Sequence, residues 1–108
     1  MSGWDLIRQE RERQVGGEGW TAEHDDGHAA GELVIAAACY AVAGLPPRGL
    51  RYPVKVTTCG NDAWPWGEQF DNRGRNKTQE DRVRLLVKAG ALIAAEIDRI
   101  DRLRRRGS

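Results

Sequence analysis

The sequence has few cysteines and no long apolar run. Its two cysteines, Cys39 and Cys59, form no CxxC pair, which argues against a disulfide framework and a zinc ribbon, so we expect free thiols. No segment approaches the roughly 18 consecutive apolar residues that a membrane-spanning helix needs. Residues 1–15 mix arginines with acids and lack an apolar segment, so we do not expect a signal peptide. We expect a cytoplasmic protein with no membrane partner.

An excess of one charge is also missing. The formal net charge is +1, which gives no strong nucleic-acid signal, although the segment from Arg102 to Arg106 is locally basic. We interpret that segment as a solvated helix end. There is no GxGxxG or P-loop pattern, and the glycine-rich residues 16–19 lack the lysine and the preceding strand of a phosphate loop.

What remains is a chain of 108 residues, the size of one small domain, with 40% hydrophobic and 31% charged residues. Its pattern predicts an all-α fold, a small bundle of three main helices at about 4–15, 25–42 and 79–104. An irregular stretch over 44–77 contains most of the aromatic residues, and the alternation of Tyr52, Val54 and Val56 allows one short edge strand there.

The last two helices give the clearest signals. Thr78 followed by Asp81 forms a capping-box pattern at the start of the third helix, and apolar residues then follow at alternating spacings of three and four. From Leu33 to Ala43 the second helix is apolar on nearly every side and rich in alanine, which predicts the central helix of the bundle. Two neighbouring helices would not cover it, so we expect a homodimer or larger homo-oligomer.

Acidic side chains on these helices suggest a metal site. On one continuous helix from Asp25, the side chains of Asp25, His28 and Glu32 would lie within a sector of about 60°. Glu10 on the first helix and Glu96 on the third continue apolar stripes and would also point inward. Buried carboxylates need a cation, and Mg²⁺ prefers hard oxygen ligands. We therefore predict Mg²⁺ near Glu32, with Asp25 and His28 as ligands and Glu10 and Glu96 as further catalytic candidates.

A purely structural interpretation remains open for each of these residues. Asp25, Asp26 and His28 could cap a helix, and His24 could be a surface residue. Glu32 could pair with Arg11, Arg13 or Lys88, and Glu96 with Arg99.

The irregular stretch and its neighbours offer candidate nucleotide contacts. Trp64 and Trp66, with Phe70, form either a hydrophobic plug, a dimer contact or a platform for base stacking, which contributes about 1 to 3 kcal/mol per base. Arg73 and Arg75 could contact phosphate or lie in a solvated loop. Lys88 could contact phosphate or form a salt bridge.

Several strings carry a resemblance: ERERQ, EGWTAEHDDGHAAGEL, AAACYA, WPW and LLVKAGALIAAEIDRIDR. Together they resemble a family of small phage and prophage proteins. The layout is also similar to the MazG-like all-α nucleoside triphosphate pyrophosphohydrolases, bundles of two or four subunits that use Mg²⁺ to split a nucleoside triphosphate into the monophosphate and pyrophosphate. Such enzymes carry an ExxE and an ExxD motif. Here the position three residues before Glu32 is Ala29, and the position three residues after Glu96 is Arg99. Only one acid of each motif is therefore present.

The resemblance implies a phage-type nucleotide-binding protein in the host-cell cytoplasm, acting as a magnesium-dependent hydrolase if it is an enzyme. The broken motifs favour an alternative, a non-catalytic phage accessory or anti-defence protein that sequesters a nucleotide signal or binds a host protein.

Overall fold

The computed structural model describes residues 1–46, 55–58 and 61–107. Four α-helices dominate it: α1 Gly3–Gly17, α2 Ala22–Asp26, α3 Glu32–Ala43 and α4 Gln79–Gly107. A two-residue antiparallel pair joins β1 Thr57–Thr58 to β2 Asn61–Asp62, and a 3₁₀ turn spans Glu68–Phe70. The predicted small all-α bundle is confirmed. Tyr52, Val54 and Cys59 lie outside the described residues, and Cys39 is a buried free thiol.

Local capping fixes where α1 and α4 begin. The Ser2 hydroxyl accepts from the Asp5 backbone N–H at 3.2 Å while the Ser2 N–H donates to the Asp5 carboxylate, which is a reciprocal capping box. Thr78 and Asp81 form the same arrangement before α4. The predicted start of the third helix is therefore confirmed, and the helix extends a few residues beyond its predicted end, to Gly107.

The prediction of one helix over 25–42 is wrong. The chain instead forms the short α2, a turn over 27–31, and then α3. Gly31 adopts φ 92° and ψ 9°, a left-handed conformation that an α-helix cannot contain. In addition, Arg102 of α4 donates to Asp26 at 2.9 Å, which holds the end of α2 against α4.

The core lies between α3 and α4, and Trp64 and Trp66 pack against it. Small residues of α3 let the two helices approach closely. The buried cluster consists of Leu33, Ala36, Ala37, Tyr40, Leu85, Ala89, Leu92 and Ala95. The prediction that the Leu33–Ala43 segment is the central helix is wrong, because α4 packs against α1, α2 and α3, whereas Val34 of α3 is half exposed.

Candidate functional site

Five aromatic and imidazole rings surround a cavity of about 250 Å³ on one side of α2. They are the side chains of Trp20, His24, His28, Trp66 and Phe70, which we call the aromatic–histidine pocket. Four of the rings follow one another around it, with centroid distances of 5.5 Å for Trp20 and His24, 4.8 Å for the two histidines and 5.3 Å for His28 and Trp66. Trp20 and Trp66 are 6.3 Å apart, which completes the circuit.

Short local elements place these rings. Gly19, with φ 73°, turns the chain after α1, and the Trp20 backbone N–H donates to the Gln14 carbonyl at 2.9 Å. Thr21 caps α2 and accepts from the His24 N–H. On the opposite wall, Trp66 is held against the core, and Phe70 ends the 3₁₀ turn with 57% of its surface exposed. The pocket therefore has partly buried walls and one exposed ring at its edge.

The buried ion pair of Arg11 and Asp25 contacts His24 and orients its ring. Asp25 has no solvent exposure, its Oδ2 accepts from Arg11 at 2.7 Å, and its Oδ1 lies 3.0 Å from Nδ1 of His24. A carboxylate only accepts hydrogen bonds, so we assign the proton of this contact to Nδ1 of His24. In the neutral imidazole, Nε2 is then the acceptor.

Glu32 supports His28 in the same way, with Oε2 3.3 Å from Nδ1 of His28. The Glu32 carboxylate also accepts from the Ala30 backbone N–H at 2.7 Å. Hydrogen bonds from the backbone N–H groups of Glu32 itself and of Ala30, together with His28, outweigh burial and hold the pKa of Glu32 below its ordinary value of 4.5. Glu32 is therefore an acceptor at neutral pH, and in the neutral form of His28, as in that of His24, Nε2 is an acceptor.

The pocket offers flat apolar faces and a few polar groups. None of its five lining side chains is an acid, a lysine or an arginine. The Nε1–H of Trp66 is buried and has no acceptor in the described part of the chain. This arrangement suits a flat, uncharged ring with polar groups on its edge, since sites of this kind are mostly apolar with a few polar groups that fix orientation.

The structure brings two of the three predicted metal ligands together. His28 and Glu32 are in contact, whereas Asp25 is engaged by His24 and Arg11. Within residues 1–46, 55–58 and 61–107, no group of three or more His, Cys, Asp or Glu side chains is arranged to hold a metal ion. The Mg²⁺ site stays a prediction.

Glu10 and Glu96, the other two predicted acids, each lie beside a cation. Arg13 donates to both oxygens of Glu10 at 2.7 Å, and Lys88 is 3.5 Å from the same carboxylate. Arg99 pairs with Glu96, as the structural interpretation expected. In these positions the carboxylates are neutralised by side chains of the protein.

The predicted nucleotide contacts separate into two groups. Trp66 lines the pocket, whereas Trp64 packs edge-on against Tyr40 at 5.6 Å and belongs to the core wall.

Arg73 donates to Asp62 and Asp71 and lies 5.2 Å from the Trp64 ring. Lys88 pairs with Glu10, and Arg75, which is largely exposed, lies 3.9 Å from Asp81. None of the three cations lines the pocket.

Sequence reasoning missed Trp20 and His24 as site residues. Their signal is the spacing of Trp20, His24 and His28 at intervals of four, which places rings along one side of a helical segment. Asp25 contacts His24, and Glu32 contacts His28. The acids of the HDDGHAAGE segment therefore orient the two histidines of the pocket, a role beyond helix capping.

Comparison with protein-family models, with curated proteins and with solved structures gives no match in any of the three. The helices of the described residues include none with both the length and the apolar character needed to cross a membrane.

Proposed function

We propose that the protein binds a nucleotide by its base in the aromatic–histidine pocket and retains it without turnover. The observation that carries this proposal is the ring of Trp20, His24, His28 and Trp66 around one cavity, with Phe70 at its edge. Aromatic faces stack on any nucleobase and contribute about 1 to 3 kcal/mol per base. The function is therefore that of a binding protein, in line with the sequestering accessory protein that the sequence suggests.

The size of the pocket favours the base over the whole nucleotide as the enclosed part. Its volume of about 250 Å³ lies below the roughly 300 to 1,000 Å³ of sites that enclose drug-sized ligands. One flat ring system fits this space, and the sugar and phosphates would remain outside. In their neutral forms, His24 and His28 would accept through Nε2 from N–H groups on the edge of the base.

Hydrolysis of the MazG-like kind is supported less directly. It would require three carboxylates to leave their present partners and bind Mg²⁺ instead. Glu10 would leave Arg13 and Lys88, Glu32 would leave His28, and Glu96 would leave Arg99. Mg²⁺ held by these carboxylates would supply a Lewis acid for phosphoryl transfer and positive charge beside the pyrophosphate leaving group. Glu32→Gln tests this site, because unchanged Mg²⁺-dependent binding of a nucleoside triphosphate would contradict it.

Calorimetric titration with nucleosides and with nucleoside triphosphates, with and without Mg²⁺, tests base binding. We expect nucleosides, which lack phosphate, to bind stoichiometrically without Mg²⁺. Phe70→Ala should weaken binding about tenfold, because losing one stacking face costs about 1.4 kcal/mol. Chromatography of the same mixtures should show unaltered nucleotide.

The matched control is Trp4→Ala, which removes an aromatic ring that is 85% exposed on α1 and lies outside the pocket. It should leave nucleoside affinity unchanged. Equal effects of Phe70→Ala and Trp4→Ala, or binding of inorganic triphosphate as tight as that of a nucleotide, would refute base recognition. Release of monophosphate and pyrophosphate would instead support the hydrolase.

Self-association is a separate part of the proposed function. The homo-oligomer expected from the sequence is supported by large apolar side chains that α4 leaves exposed to solvent.

A further inference from the structure

One side of α4 carries large apolar side chains that the described part of the chain leaves about half exposed. They are Val83, Leu86, Ile93, Ile97 and Ile100, with exposed fractions from 42% to 60%, and we call them the α4 stripe. Burying such a side chain stabilises by about 1.5 to 3 kcal/mol relative to leaving it exposed. Contiguous exposed apolar patches of this kind mark interaction surfaces.

The spacing of the α4 stripe is that of a helix pairing with another helix. With Gly90 included, the positions advance by three and four residues alternately from Val83 to Ile100. At about 1.5 Å per residue the stripe is about 26 Å long. Ile7 of α1 packs at Gly90, where a Cβ atom would lie 2.7 Å from Ile7 Cδ1, so α1 lies beside the stripe and leaves its large side chains exposed.

We propose that the α4 stripe pairs with the same stripe of a second copy of this chain, with the two α4 helices antiparallel. One register matches every position of the stripe at once. Val83 then faces the partner's Ile100, Leu86 faces the partner's Ile97, and Gly90 faces the partner's Ile93. Ile7 of α1 fills the space at Gly90, so the partner's Ile93 would pack over Ile7 at the centre of the pairing.

Charge decides between antiparallel and parallel pairing. The first turn of α4 contains Glu80 and Asp81, and its last turn contains Arg104, Arg105 and Arg106. In the antiparallel register, Arg104 lies level with the first turn of the partner's helix, close to the partner's Glu80. Parallel pairing would place the two arginine-rich ends side by side. The antiparallel arrangement also places the partly positive N-terminus of each α4 helix beside the partly negative C-terminus of its partner, which is favourable.

Cysteine cross-linking tests the register. In a chain carrying Cys39→Ala and Cys59→Ser, Ile93→Cys lies near the two-fold axis and should cross-link to itself with a short bifunctional reagent. Val83→Cys alone and Ile100→Cys alone should form no cross-linked dimer. A mixture of the two proteins should form one. Self-cross-linking of Val83→Cys and Ile100→Cys separately would indicate parallel pairing and overturn the proposal.

Analytical ultracentrifugation tests the surface itself. The native chain should sediment as a dimer, and Ile97→Asp should raise the dissociation constant at least about tenfold, because a carboxylate would be buried without a partner. The control is Val15→Asp, at an exposed valine of α1, which should remain dimeric. Because Ile97 is 60% exposed, Ile97→Asp should keep the native helical circular dichroism.

Charge exchange separates antiparallel self-association from other occupants of the stripe. Glu80→Arg and Arg104→Glu should each weaken the dimer, and the double variant should recover it. A native chain that stays monomeric at high micromolar concentration would overturn the proposal and leave the stripe to a different protein. Failure of self-association would leave nucleoside binding in the pocket unaffected, since that proposal rests on other residues.

Discussion

The carboxylate of Asp25 shows how one residue links stability to the candidate site. A buried charge is costly, and Asp25 is stabilised by Arg11 at 2.7 Å while its other oxygen orients His24. Sequence reasoning expected Asp25 to cap a helix or bind a metal. It could not identify Arg11 as the partner, because fourteen positions separate the two residues and the turn that joins them was unknown.

Glu10 predicts a specific dependence of stability on pH. Burial raises the pKa of Glu10, but hydrogen bonds from Arg13 and the charge of Lys88 outweigh it, so the folded-state pKa lies below the ordinary 4.5. The stabilisation is therefore present above pH 4.5 and is lost as pH falls through the folded-state pKa. Glu10→Gln should lower the free energy of unfolding at pH 7 by about 1 kcal/mol, because hydrogen bonds to charged groups contribute about 1.5 to 3 kcal/mol and solvent at the partly exposed Arg13 screens part of this.

Urea denaturation of the native chain and of Glu10→Gln between pH 7 and pH 2.5 measures this difference. It should shrink steadily below pH 4.5. Glu12→Gln, at an exposed residue of the same helix, is the control and should differ little from the native chain at any pH. A Glu10→Gln difference that stays constant down to pH 2.5 would show that the charge of Glu10 does not stabilise the fold.

At the scale of elements, the sequence predicts what local chemistry determines. The start of α4 follows from Thr78 and Asp81, whose side chains and backbones satisfy one another without help from the rest of the chain. The break between α2 and α3 was not predicted, because Ala29 and Ala30 favour a helix. There the left-handed Gly31 and the bonds of Arg102 to α2 prevail over local propensity.

Gly31 should therefore be sensitive to substitution. Its φ of 92° is strained for an L-residue, although a Cβ atom there would meet no atom within 4 Å. Gly31→Ala should cost about 1 to 2 kcal/mol in the free energy of unfolding, from backbone strain alone. Gly16→Ala is the matched control, because Gly16 lies in α1 with equal space around it and no positive φ. It should stabilise by about 0.5 to 1 kcal/mol.

Thermal and chemical denaturation of both variants gives the two values. A stabilising Gly31→Ala would mean that α2 and α3 can join into one helix at little cost. Gly31→Asn should lie between alanine and the native chain, because asparagine tolerates the left-handed region better than other residues.

At the scale of the whole molecule, the site depends on residues that sequence order keeps apart. The pocket combines side chains from residues 20–28 with side chains from residues 66–70, and two of them, Trp20 and Trp66, pack against the core of α3 and α4. Composition and periodicity identify the helices, since each is a local pattern. They do not show that Trp66 meets His28 and Trp20, because that contact depends on how the irregular stretch folds back over the core.

The pocket and the α4 stripe should act independently, because none of the five pocket residues belongs to α4. Phe70→Ala should weaken nucleoside binding about tenfold and leave the dimer dissociation constant unchanged, while Ile97→Asp should do the reverse. Free-energy effects at separate sites add within about 0.3 to 0.5 kcal/mol, so the double variant should show both losses at full size. Calorimetry and sedimentation on the same four proteins measure this. If Ile97→Asp also weakened nucleoside binding tenfold, the partner copy would have to form or stabilise part of the pocket, and the binding unit would be the dimer.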